Sequence, residues 1–150
     1  MKAMIAIGAS APDVEDANLA RPGALVFFKV TCSTTKIATP AIERLARAYP
    51  GRVIGVGQDP QVDLDAFATA FGLSLPLVPD LEPYPASDAY GIVSAPTAVA
   101  VDADGSVAAV AESWDRDAWN RLSANLASML GVEPVPVSEP EDGLPSFKPG

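Results

Sequence analysis

The chain has 150 residues, 49% of them apolar, with 10 basic against 19 acidic side chains and a formal net charge of −9. That is enough for one domain with a core of its own, and the acidic balance speaks against nucleic acid or an anionic membrane as partner. With no histidine and a single cysteine, Ser-His-Asp and Cys-His catalysis, the commonest zinc sites, an internal disulfide and a thiolate metal cage are excluded together.

Residues 1–23 read as an irregular lead-in. Ile5-Ala6-Ile7 is expected to add an edge strand, and Ala11-Pro12-Asp13 and Arg21-Pro22-Gly23 mark turns. The apolar run near the start is too short for a secretory h-region, and no run approaches a bilayer span, so the expectation is a cytoplasmic protein. Ala24 to Val30 is a continuous apolar run with β-branched and aromatic residues, the pattern of a strand covered on both faces. A helix follows over residues 35–49, with Ile37, Ile42 and Leu45 as its stripe, interrupted by Pro40, which removes a backbone donor and is expected to kink it. Residues 52–56 read as a second buried strand. Residues 62–71 read as a helix stopped by Gly72.

Residues 73–88 are rich in proline and read as loop, with a short strand at 76–78 and a helical turn at 86–90. Strands at 97–101 and 107–111 flank Asp102-Ala103-Asp104-Gly105, a strong hairpin signal. The last helix covers 115–130 and presents Trp119, Leu122, Leu126 and Met129-Leu130 on one face. Residues 1–131 therefore form the domain. Residues 132–150, rich in proline and acidic side chains and lacking periodicity, read as a disordered or extended tail. The order of elements implies an α/β fold: a mixed sheet with parallel βαβ units and an antiparallel hairpin, flanked by helices.

The lone Cys32 stands where the first strand hands over to a helix N-terminus, with hydroxyls at Ser33, Thr34 and Thr35 and charges at Lys29 and Lys36. Backbone N–H groups and the helix dipole favour a thiolate there, able to attack a disulfide, a peroxide or another electrophile. A buried free cysteine acting as a small hydrophobe explains the same residue equally well. Pro40, eight residues on, and Pro96, just before a buried strand, are the other two marks. Pro96 either opens the strand or is a cis-proline that brings backbone groups up to a site. Weaker patterns carry no function: Gly55-Val56-Gly57 lacks the rest of a phosphate loop, and Ser106 and Val107 break the register of a calcium loop at 102–105. Trp114 and Trp119 read as packing.

Cys32-Ser33-Thr34-Thr35-Lys36-Ile37-Ala38-Thr39-Pro40 resembles the active-site helix of the thioredoxin superfamily, whose members carry Cys-x-x-Cys and a helix-kinking proline at this spacing. Tyr90-Gly91-Ile92-Val93-Ser94-Ala95-Pro96-Thr97 resembles the cis-proline loop that lies against the active cysteine in that family. The lead-in and the 62–71 helix are similar to the redoxin, peroxiredoxin-related branch, and the likeness covers residues 8–131. It implies a thioredoxin-like fold, catalytic roles for Cys32, Thr35 and Pro96, and substrate contacts at Thr31, Ser33, Thr34, Ala95 and Thr97. It implies thiol–disulfide exchange or antioxidant chemistry on protein or low-molecular-weight thiols and disulfides, with no resident cofactor and no metal.

The chain departs from the pattern at instructive places. Thr35 replaces the second cysteine, so a dithiol cycle cannot run within the chain. Thr31 stands where thioredoxins often carry tryptophan, and Val26 where many carry a buried acid. Lys29 and Leu25 stand where peroxiredoxins need threonine and proline. What remains is a monothiol that needs an external resolving thiol, with Thr35 expected to donate a hydrogen bond to the thiolate. The alternative is a non-catalytic thioredoxin-fold binding module whose partner capture survives Cys32→Ser. Monothiol glutaredoxins suggest, by analogy alone, an iron–sulfur cluster shared with glutathione. Finally, Phe147-Lys148-Pro149-Gly150 resembles a segment that relatives follow with a cysteine or selenocysteine. That implies a second redox group after Gly150 if the frame was closed at a selenocysteine codon; a natural disordered end is the simpler account, and the next codon in the source DNA decides.

Overall fold

The computed structural model describes residues 3–150. Its centre is β1 (Gly23–Phe28), every residue of which is buried. It is followed by α1 (Ser33–Ala48), β2 (Val53–Gly57), α2 (Gln61–Phe71), β3 (Leu77–Pro79), α3 (Pro85–Tyr90), β4 (Thr97–Val101), β5 (Val107–Ala111), β6 (Trp114–Asp115), α4 (Arg116–Leu130) and β7 (Phe147–Lys148). A five-stranded sheet runs in the order β3-β2-β1-β4-β5. β1 pairs parallel with β2 (Ala24 opposite Val53, Phe28 opposite Gly57) and antiparallel with β4 (Phe27 opposite Thr97). The mixed sheet flanked by helices is thus present as the order of elements implies.

Alternation along the central strands sorts the core into two layers. Ala24, Val26, Ala98 and Ala100 face α1 and α4, where Ala41, Ile42, Leu45, Trp119, Leu122 and Leu126 pack on them. The small side chains on the strands let the two helices come close. Leu25, Phe27, Val99 and Val101 point the other way, onto Ile54, Val56, Tyr90 and Ala11 of the lead-in. Each of the buried leucines and aromatics contributes about 1.5–3 kcal/mol by leaving water.

Local chemistry explains the helix ends. Pro40 lies inside α1 and cannot donate to the carbonyl of Lys36. The hydroxyl of Thr39 donates to that same oxygen at 2.8 Å, so the carbonyl is not orphaned. Asp115 caps α4 by accepting from the Ala118 N–H at 3.2 Å. Asp80, 3% exposed, accepts from the N–H groups of Ala86 and Ser87 at 2.9 and 2.8 Å and from the Ser87 hydroxyl at 2.7 Å, anchoring α3.

Two expectations change. Ile5-Ala6-Ile7 forms no strand: Ile5 donates to the Tyr90 carbonyl and Gly8 to that of Val107, and among the described residues the lead-in pairs with the sheet through a single bridge from Ser10 to Ser106. Ile7 is 69% exposed, so nothing rewards a regular ladder there. Residues 132–150 are not a free tail but a strap laid over α1 and α4. Val137 and Ser138 are buried. Asn120 grips the strap three times, donating to the Ser138 carbonyl and accepting from the Val137 N–H, both at 2.8 Å, and accepting from the Ser138 N–H at 3.3 Å. The strap then turns through Pro140–Asp142 and pairs Phe147-Lys148 with Trp114-Asp115. It shows no periodicity because side chains of other elements, rather than its own repeating ladder, satisfy its backbone.

Candidate functional site

β1 ends at Phe28, and the chain turns through residues 29–31 into α1 with Cys32 as the N-cap residue (φ −76°, ψ 122°). The turn is held from two sides. The Val30 N–H donates to a carboxylate oxygen of Asp59 at 2.9 Å, and the Cys32 N–H to the Lys29 carbonyl at 3.2 Å. Cys32 makes no side-chain cap, so the first-turn N–H groups of this 16-residue helix have no intrahelical partner, and those of Thr34 and Thr35 favour a negative charge on its sulfur.

Across from it, the Ala95–Pro96 peptide is cis, and the Cys32 thiol donates to the Ala95 carbonyl at 3.5 Å. Thr97, fully buried, holds the shape of this loop through its hydroxyl, which donates to the Ser94 carbonyl at 2.9 Å. Gly91, at φ 65°, makes the turn that leads into the loop. Cys32 is half-buried and opens into a cavity of about 440 Å³ bounded by Lys29, Thr31, Gln58, Ser94, Ala95 and, unexpectedly, Gly150.

The two threonines behind the sulfur differ. Thr34 is buried and its hydroxyl is already committed, donating to the Pro149 carbonyl at 2.7 Å. Thr35 is fully buried and its hydroxyl has no hydrogen-bond partner among the described residues. Burial pushes the Cys32 thiol up. The backbone N–H and hydroxyl of Thr35, and then the backbone N–H of Thr34, favour the thiolate more strongly, and the net effect holds the thiol below its ordinary value. A neutral thiol leaves the Thr35 hydroxyl unused; a thiolate takes it up.

Cys32, Thr34, Thr35, Ala95 and Pro96 are therefore brought to one place, and Thr31 stands on the rim. Ser33 is exposed and does not bound the cavity, and Thr97 acts on the loop rather than on the cavity. Sequence reasoning missed Pro149 and Gly150. A signal was present in the Phe-Lys-Pro-Gly segment, but nothing local placed it beside residue 32.

This combination of β1-α1-β2, an N-cap thiol, a facing cis-proline loop and a closing hairpin and helix decides the architecture. The chain has the thioredoxin fold. Solved structures similar to it include a secreted disulfide oxidoreductase of Mycobacterium tuberculosis (20% identity over 72% of this chain and 81% of the other, TM-score 0.56). A thio-disulfide isomerase of Thermus thermophilus is similar at 17% identity, over 86% of this chain and 99% of the other, with a TM-score of 0.65. The bacterioferritin comigratory protein of Xanthomonas campestris, described for alkyl peroxide reduction, is similar at 15% identity, over 74% and 80%, with a TM-score of 0.54. Neither a protein-family model nor a curated protein sequence matches the chain. At these identities the likeness speaks for the fold, and function rests on the site.

Proposed function

We propose that the protein is a thiol–disulfide oxidoreductase working through Cys32 as a monothiol. The Cys32 thiolate attacks one sulfur of a disulfide, forming a mixed disulfide and expelling the other sulfur as a thiolate. An external thiolate then attacks the substrate sulfur of the mixed disulfide, and the electron pair of the breaking bond returns to Cys32. Cys32 ends as it began, and the net result is exchange between the substrate and the external thiol. Thr35 and the first-turn N–H groups stabilise the sulfur's charge at both ends of the cycle. The backbone of Ala95 and Pro96 forms the wall along which the substrate lies, with Thr31 at the rim. Thr35 in place of a second cysteine makes the resolving thiol external, and Lys29 and Leu25 supply none of the hydroxyl chemistry that would activate a peroxide.

The observation that carries this reading is the fully buried Thr35 hydroxyl, without a partner among the described residues, behind the thiol of the N-cap residue. A buried hydroxyl without a partner costs about 1–3 kcal/mol, a cost that a thiolate at Cys32 removes. The test is the pH dependence of Cys32 alkylation together with a disulfide-exchange assay using glutathione and a protein disulfide. A midpoint below about 8.5 is expected, with exchange abolished in Cys32→Ser. A midpoint at or above that value, or exchange that survives Cys32→Ser, overturns the reading.

A further inference from the structure

The end of the strap lies in the groove that the reaction needs. Thr34 donates to the Pro149 carbonyl at 2.7 Å, and the Gly150 N–H donates to the Ser113 hydroxyl at 3.2 Å. Gly150 is pressed so closely on the backbone of Ala95 that a Cβ there would collide with its nitrogen and carbonyl. Ala95 is the residue whose carbonyl takes the Cys32 thiol, and Gly150 bounds the same cavity as Cys32. A segment of this chain thus occupies the wall along which a substrate would lie.

We infer that the strap gates the thiol: docked, its Pro149-Gly150 segment covers the Ala95 wall of the Cys32 cavity, and undocking opens that wall to a partner. The inference rests on the reading of Cys32 as the reactive group. Docking acts in two ways. It covers the approach along Ala95, and it engages the single hydroxyl proton of Thr34, which is then not available to the sulfur. Release therefore exposes Cys32 and adds a donor to its thiolate.

The upstream part of the strap is anchored independently of its end. Arg116 donates to the Leu144 carbonyl at 2.7 Å and Trp114 to the Pro145 carbonyl at 2.6 Å. The gate can then be opened without removing the anchor. A chain ending at Lys148 keeps both contacts and the pairing of Phe147-Lys148 with Trp114-Asp115, and loses only Pro149 and Gly150. Alkylation of Cys32 by a bulky maleimide is expected to run about tenfold faster in that chain than in the full one, as for a site freed from a closed state. Its rate profile is expected to shift to lower pH. Equal rates in the two chains overturn the gate. A thiol in the shortened chain that titrates at or above about 8.5 speaks against the reactive-thiol reading instead.

A second measurement does not depend on how the shortened chain folds. Gly150 and Cys32 bound one cavity, so in the docked strap a cysteine appended after Gly150 is expected to approach Cys32 to the Cα separation of about 4.4–6.8 Å that a disulfide needs. Diamide, taking up two electrons and two protons, is expected to convert the two thiols to one intramolecular disulfide. Two free thiols, or an intermolecular dimer alone, would place the strap elsewhere and overturn the inference.

Discussion

Thr35 carries opposite consequences for stability and for reactivity. Its hydroxyl is buried and unpartnered beside a neutral thiol, so Thr35→Val, which keeps the shape and removes the oxygen, is expected to leave stability unchanged or raise it by about 1 kcal/mol. The same change removes a donor to the thiolate, so the Cys32 midpoint moves up and exchange slows. Urea unfolding and alkylation against pH read the two effects separately; a variant that is less stable, or equally acidic at Cys32, contradicts the assignment. The resemblance pointed to Thr35, in the place of the family's second cysteine, as a donor. It could not show that the Thr34 hydroxyl is engaged elsewhere, because its partner Pro149 lies 115 positions away in the chain.

α3 shows how much one buried carboxylate can hold. Asp80 serves the N–H groups of Ala86 and Ser87 and the Ser87 hydroxyl, and Ser87 in turn bounds the Cys32 cavity. Asp80→Ala leaves these donors without their acceptor, and a loss of about 3 kcal/mol is expected in denaturant unfolding; a loss under about 1 kcal/mol would mean that α3 is held by packing alone. The long elements were legible in the residues: the apolar run of β1, the stripes of α1 and α4 and the hairpin at Asp102–Gly105 all lie within one or two residues of their expected places. The lead-in was not, because Ile5 and Ile7 carry strand propensity but no neighbouring strand offers them a ladder.

The whole molecule is closed by Asp142. Its carboxylate accepts from Arg44 at 2.9 Å and from the Ser138 hydroxyl at 2.8 Å, and from the N–H groups of Leu144 and Glu139 at 2.9 and 3.2 Å. Burial pushes this carboxyl up, but the bonds from Leu144, Ser138, Glu139 and Arg44 outweigh it and hold it well below the usual carboxylate range. The depressed folded-state value means that the stability it contributes is fully present above about pH 4 and is lost as pH falls through the folded-state pKa. Asp142→Ala is thus expected to cost about 2 kcal/mol at neutral pH, and the gap from the parent chain to narrow progressively below about pH 4. Unfolding followed by tryptophan fluorescence, with Trp114 bonded to the strap at Pro145, measures it; a gap independent of pH would mean that the carboxylate charge is not what holds the strap.

The sequence by itself determined the mixed sheet, the helices on it and a thiol at the N-terminus of the first helix. These follow from periodicity and from end signals that act within a few residues. The tertiary structure alone decided which threonine is free, how the lead-in meets the sheet, and where residues 132–150 go. Those outcomes depend on hydrogen bonds from Asn120, Arg44, Arg116 and Thr34 to a segment with no regular repeat. A strap of that kind leaves no pattern in its own residues, because the groups that hold it belong to other elements.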